Sequence, residues 1–356
     1  MKVAIYSPYL DTLGGGERYM MTIAQILSDG HLVDVLLDSH LNSFNIDKLK
    51  KDLEGRFNLS LLKVNFKKAP LGKNSSFFRR LFFLKDYDLF FYLTDGSIFI
   101  PTAKKNILHI QTPLAGQPAK SLWGRVKLIG WNLIIYNSKF TEEAAKKSWP
   151  KDSVVIYPPV DVDSIKPLEK KKYILSVGRF FGYLHYKKQN VLIDVFKKIH
   201  KEKKLTGWSL HLAGSAAEGD NDYIDKLKKN AKGVPINFYP NLSYTELIKL
   251  YGQSSIYWHA AGYDESDPTK MEHFGITTVE AMAGGCVPVV IGKGGQTEIV
   301  EHNKSGFLWN DLDGLQSFTL RLINEAGLWK ELSNKARIRA KIFSKEIFTK
   351  RINQLI

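Results

Sequence analysis

Cysteine is nearly absent: Cys286 stands alone among 356 residues, so no internal disulfide can form, and a reducing compartment suits the chain. No apolar run reaches the roughly 18 residues that a bilayer span needs. The stretch from Met1 to Pro8 lacks the apolar core of a signal peptide and reads as a first strand. Acids are outnumbered, 36 against 51 bases, giving a formal charge of +15. Such a charge attracts polyanions, whether nucleic acid, anionic lipid or phosphorylated small molecules. Zinc-finger spacing, RNA-binding signatures and basic heptads are missing, so nothing in the pattern supports nucleic acid. The dinucleotide fingerprint is missing too. The glycine run Gly14, Gly15, Gly16 has Tyr19 where the last glycine would stand, and only Asp38, ending a predicted strand, holds the place of a ribose-binding acid.

What is present is globular: 44% hydrophobic and 24% charged residues, with a length that suits two domains of about 100–200 residues each. Residues 3–6 predict a strand, and Gly14–Gly16 a loop whose backbone approaches a ligand. A helix follows with Met20, Ile23, Ala24 and Leu27 on one face, then a second strand over 32–37. This βαβ start predicts a parallel sheet covered by helices. Further strands are expected over 88–93, 106–110 and 133–136. His109 lies near the carboxyl end of one, where open α/β sheets bind ligands. Residues 41–75 are weakly patterned. Over 77–85, Phe77, Phe78, Leu81 and Phe82 share a helical face flanked by Arg79, Arg80 and Lys85. The expectation is a core-facing helix with a solvated basic side; the alternative is a helix docked in a membrane interface.

Residues 154–164 read as an interdomain linker, a strand followed by Pro158 and Pro159. Asp161 and Asp163 form a D-x-D triplet beside it, read as polar turn residues and not as a metal site. A second βα series begins at 173–178, where Gly178 lets the backbone bring Arg179 in close, and Lys187 precedes a helix with Leu192, Val195, Phe196 and Ile199 on one face. Strands are expected over 210–213, ending in Gly214, and over 236–239 and 256–259. Ser243 and Glu246 form a capping box between the last two.

The stretch from Glu272 to Glu280 carries the most chemistry. Thr277 through Ala283 predicts a short helix stopped by Gly284 and Gly285, with Glu280 about one turn in and Glu272 in the loop before it. A helix N-terminus suits phosphate. A carboxylate beside phosphate is unfavourable unless it accepts hydrogen bonds from sugar hydroxyls, so the pair together suggests a nucleotide-sugar.

These residues resemble glycosyltransferase family four, over 173–309 strongly and over 1–160 moderately. The matching segments fall in order: Gly14–Glu17, His109 with Thr112 and Pro113, Asn137 with Ser138, Tyr157 to Pro159, Ser176 to Arg179, Lys187, Glu272 to Gly275, Glu280 to Ala283, and Asn303 to Phe307. The resemblance implies an α/β GT-B fold of two facing Rossmann-like domains, 1–162 on the acceptor side and 163–340 binding the nucleotide-sugar. Residues 341–356 would be a helix returning to the first domain. It implies a retaining, metal-independent hexosyltransferase for cell-surface polysaccharide or glycoconjugate synthesis. Arg179 and Lys187 would bind the donor diphosphate, Glu280 the ribose, and Glu272 the sugar hydroxyls. Phe274, Gly275, Ile276 and Thr277, with Gly178 and Gly214, would line the donor site. His109 would face the sugar, and the Gly14, Gly15, Gly16 loop would lie near donor phosphate or acceptor. GDP-mannose is the favoured donor and a UDP-hexose the alternative. The acceptor is a glycan or lipid-linked glycan, with an anionic membrane surface as a further partner, no nucleic acid and no cofactor. The location expected is cytoplasmic or peripheral at the inner membrane face. The reading from a different class is a non-catalytic nucleotide- or polyanion-binding protein.

Overall fold

The computed structural model describes residues 1–72, 75–114, 118, 120–182 and 187–356. Two compact units divide the chain, Met1–Pro159 with Phe348–Ile356, and Val160–Ile347. The first holds β1 (Lys2–Tyr6), β2 (Leu32–Leu37), β3 (Val64–Lys68), β4 (Leu89–Leu93), β5 (Lys105–Ile110), β6 (Leu133–Tyr136) and β7 (Ser153–Val155). They form one sheet in the order β3-β2-β1-β4-β5-β6-β7, every pairing parallel. Its helices are α1 (Gly15–Leu27), α2 (Ile46–Phe57), α3 (Phe77–Leu84), α4 (Leu122–Ile129) and α5 (Lys139–Ala145). Both faces of the sheet are buried, as parallel sheets require. Val3 and Ile5 enter one core with Met20, Ile23 and Phe91, whereas Ala4 and Tyr6 enter the other with Phe90, Tyr92 and Trp131.

The second unit holds β8 (Lys171–Val177), β9 (Ser209–Gly214), β10 (Ile236–Pro240), β11 (Ser254–His259), β12 (Val287–Ile291) and β13 (Phe307–Trp309), in the order β10-β9-β8-β11-β12-β13. Its helices are α6 (Gln189–Lys201), α7 (Asn221–Asn230), α8 (Tyr244–Gln253), α9 (Ile276–Ala283), α10 (Gln296–Ile299), α11 (Leu312–Asn324) and α12 (Ala326–Ala340). The face expected of α6 is the buried one: Leu192, Val195, Phe196 and Ile199 all lie in the core. Ser243 caps α8 with Glu246 reaching back to its backbone. A last helix, α13 (Lys345–Asn353), carries Phe348 and Ile352 into the core of the first unit.

Two expectations need correction. The glycine run is not an open loop, because α1 starts at Gly15 with Gly14 as its cap. The stretch that is weakly patterned in the sequence holds α2 and β3. Leu49, Leu53 and Phe57 make an apolar stripe on an otherwise polar helix, and β3 is an edge strand with one buried residue. Finally, α3 does not bury its aromatic face. Phe77, Phe78 and Phe82 are 44%, 69% and 67% exposed, and Leu84 alone is fully buried. The helix is turned so that Arg80 faces inward over the Phe99 ring, at 4.7 Å. The nearby α4 likewise leaves Leu122, Trp123 and Ile129 exposed.

Candidate functional site

In the second sheet the strand order reverses between β8 and β11, and the expected residues gather beyond the carboxyl ends of these two strands. Gly178 follows β8 directly. A Cβ on it would lie 2.8 Å from Cγ of Lys187, so the glycine makes room for the lysine stem. Gly214 ends β9, and its Cβ would lie 1.9 Å from the Gly178 carbonyl oxygen. Both glycines therefore serve close approach of the chain. Arg179, half-buried, extends over the Phe181 ring at 5.6 Å, while its carbonyl accepts from Nε2 of Gln189 at 3.0 Å.

Lys187 Nζ donates to Oε2 of Glu272 at 2.7 Å, across 85 residues of chain. His259, the last residue of β11, donates from Nε2 to the same oxygen at 2.9 Å. Oε1 of Glu272 is thereby left as an acceptor. Burial works to raise the Glu272 pKa, but the charge of Lys187 and the bonds from His259 and Lys187 outweigh it and hold the carboxyl well below its ordinary value. The neighbouring Lys188 pairs with Glu265 at 2.7 Å, which separates the roles of the two lysines.

Gly275 precedes α9 at φ 121°, a conformation that excludes other residues, and a Cβ there would meet Nε2 of Gln296 at 2.5 Å. Phe274 is buried, its ring 5.5 Å from that of Phe343. Ile276 and Thr277 are half-buried in the first turn, where helix amides lack intrahelical partners, and Thr277 accepts from the Tyr257 hydroxyl at 2.8 Å. One turn on, Glu280 is buried and accepts from the Tyr251 hydroxyl at 3.0 Å.

Two groups expected in the first unit are placed differently. His109 has no exposed surface: its ring stacks on Tyr19 at 4.0 Å, and Nδ1 donates to the Ile135 carbonyl at 3.1 Å. Burial pulls its pKa down to about 3, so the ring is neutral, and its Nε2 has no partner among the described residues. The N-terminal end of α1 is filled by the chain itself. The buried Glu17 carboxylate accepts from the Gly14 amide at 2.9 Å and from Thr12 at 3.1 Å, which disfavours a phosphate there. Gly16 packs against the amide end of Gln111, which a Cβ would meet at 2.3 Å. Asp163 lines a shallow hollow of about 140 Å³ with Lys166, Arg337 and Lys341.

Sequence reasoning missed His259 and the glycines that cradle the Glu272 loop. Gly294, at φ 63°, and Gly295 approach that loop closely, and the Gly295 amide donates to the Glu272 carbonyl at 2.8 Å. The Gly294-Gly295 pair ahead of Gln296 was the available signal.

Residues 161–336 match the family model described as glycosyl transferases group 1. The second unit belongs to the group 1 glycosyl transferases. An alpha-1,2-mannosyltransferase of Dictyostelium discoideum, named for GDP-Man:Man(3)GlcNAc(2)-PP-Dol, is 28% identical over 236 residues, 61% of this chain and 45% of the relative. The chain spans about half the length of the curated relatives it matches. The crystal structure of Anabaena HepE in complex with UDP and glucose is similar over 100% of this chain and 99% of its own, with a TM-score of 0.69 and 18% identity. A glycosyltransferase from Rickettsia africae is similar over 99% and 97%, with a TM-score of 0.76 and 17% identity. The fold is thus the α/β GT-B class, with two Rossmann-like units.

Replacing Lys187 by Met should destabilise the chain by about 1–3 kcal/mol at pH 7, because a half-buried carboxylate loses its charged donor. The folded pKa of Glu272 lies below its unfolded value. The pair's stabilisation is therefore complete above the unfolded value, about pH 4.3, and is lost as pH falls through the folded one. Urea unfolding of both proteins should show a constant deficit from pH 6 to 8 that shrinks below about pH 4.

Proposed function

We propose that the chain is a retaining hexosyltransferase that moves a hexose, mannose favoured, from a nucleotide-sugar to a glycan or lipid-linked acceptor. The observation that carries this reading is the cluster of Lys187, Glu272 and His259 at the switch point, beside Arg179 and the N-terminus of α9. Cations and helix amides suit the diphosphate, and Oε1 of Glu272 suits a sugar hydroxyl. Glu280, oriented by Tyr251, would accept from the ribose. His109 would act only as a neutral partner through Nε2.

In the step proposed, the bond from C1 of the hexose to the leaving phosphate oxygen breaks, and that oxygen takes the acceptor's proton. The acceptor oxygen then bonds C1 on the same face. The protein's contribution is electrostatic, through charges already in place. Arg179 and Lys187 would supply the positive charge, so no step is routed through a metal. The GDP-mannose preference draws on the mannosyltransferase relatives; a UDP-hexose is the second reading, favoured by the likeness to HepE, whose structure holds UDP and glucose.

No helix among the described residues is long and apolar enough to cross a membrane. The exposed aromatic and aliphatic residues of α3 and α4, with a net charge of +15, support a peripheral position on an anionic membrane. Co-sedimentation with phosphatidylglycerol vesicles should be strong at low salt and weaken as salt rises; a chain that stays in solution at low salt would contradict this placement.

Thermal unfolding with GDP-mannose, UDP-glucose, UDP-GlcNAc, NAD and a short oligonucleotide tests the activity class. One sugar nucleotide should stabilise the chain by about 2.7 kcal/mol at 100 times its dissociation constant, and Glu280→Ala should abolish the shift. Arg179→Ala should slow transfer by about 10²–10³. A shift with NAD or the oligonucleotide alone would overturn the reading in favour of a non-catalytic polyanion binder.

A further inference from the structure

Lys188, next in the chain to Lys187, holds a backbone conformation that residues with a Cβ avoid. It stands at the N-terminal cap of α6 with φ 58° and ψ 34°, in the left-handed region that glycine favours. Lysine brings nothing to this position as a cap, since its side chain has no acceptor for the helix amides, and it makes no cap bond here. A strained residue that the helix does not need points to work done by its side chain elsewhere.

That side chain crosses to the loop between β11 and α9. Nζ of Lys188 donates to Oε1 of Glu265 at 2.7 Å, with the two side chains only 15% and 21% exposed. The bond from Lys188 draws the Glu265 carboxyl below its ordinary value, so the pair is ionised at neutral pH. Glu265 is fastened on other sides as well. Its carbonyl accepts from Nζ of Lys293, in the loop after β12, at 2.9 Å, and its amide donates to the Gly262 carbonyl at 3.2 Å. Its second carboxylate oxygen lies 3.8 Å from Nζ of Lys270.

Two consecutive lysines thus hold two carboxylates of one loop, Lys187 taking Glu272 and Lys188 taking Glu265. The anchor is firm, because the Lys188 carbonyl accepts the Val191 amide at 3.0 Å and so belongs to the first turn of α6. Between the two glutamates the loop is braced internally by the 3₁₀ turn Pro268–Lys270, where Asp267 accepts from the Thr269 amide at 2.9 Å. Fixing Glu265 therefore limits where Glu272 can lie.

We propose that Lys188 and Glu265 are positioning residues for the donor: their pair fixes the loop between β11 and α9 against α6 and holds the Glu272 carboxylate at the height of the sugar. This rests on the transferase reading and adds to it the residues that set the reach between the diphosphate contacts and the sugar contacts. Neither residue touches the donor in this role.

Calorimetric titration of the full chain tests it, with GDP-mannose against GDP, and UDP-glucose and UDP-GlcNAc against UDP. A sugar nucleotide and its diphosphate differ by the hexose, so a change in the ratio of their affinities reports the sugar contact. For the set that the wild type binds, Lys188→Gly and Glu265→Gln should each weaken the sugar nucleotide about tenfold, the loss expected for one hydrogen bond to a charged group. Both should keep the diphosphate within about twofold, which also shows that the site is folded. Lys188→Gly suits the left-handed backbone and removes only the clamp. Lys188→Arg keeps the charge and a donor and should bind both ligands as the wild type does. The double variant should lose no more than either single one. Equal losses on sugar nucleotide and diphosphate would show Lys188 acting on the phosphates by its own charge, and unchanged affinities would show the pair to be idle. Either result overturns the positioning role and leaves the transferase reading intact. A wild type that binds none of these probes would overturn the transferase reading itself, and the positioning role with it.

Discussion

The interaction on which the second unit's site depends is the pairing of Lys187 and His259 with one oxygen of Glu272. It joins the loop after β8 to the loop after β11 at the place where the strand order reverses. Each partner needs the other. Glu272 is largely removed from water and would resist ionisation alone, and the lysine stem reaches it only because Gly178 has no side chain. With Oε2 held twice, the orientation of the carboxylate is fixed, which is what the proposed contact of Oε1 with a sugar hydroxyl requires. A site prepared in this way meets developing charge without rearranging.

Glycines set the geometry around this pair. Gly178 and Gly214 let two strand ends meet backbone to backbone, Gly275 turns the chain into α9, and Gly294 with Gly295 brace the Glu272 loop from behind. None of the five needs to touch a ligand to be required by the site.

Much of this was legible in the sequence because the signals were local. Strands buried on both faces read as short apolar runs, α6 announced its buried face by spacing, and Ser243 with Glu246 marked a helix start. Lys187, Arg179, Glu272 and Glu280 were singled out as candidates through ordered motifs. What was missed depended on tertiary contact. His259 ends a strand 13 residues before Glu272, and no spacing rule joins them. The glycine run looked open to ligands, but Glu17 occupies the helix end it would have offered. The orientation of α3 is decided by Arg80 stacking on Phe99, a residue from another segment.

The most direct test of the central pairing is a double-mutant cycle on donor affinity, with GDP-mannose titrated into the wild type, Lys187→Met, Glu272→Gln and the double variant. If the pair pre-arranges the site, each single change disrupts the same cluster, and the double variant should lose little more than either one. A coupling of about 0.5–3 kcal/mol is the signature expected of groups that act together. Losses that simply add would show that Lys187 and Glu272 contact the donor independently, and would contradict the account.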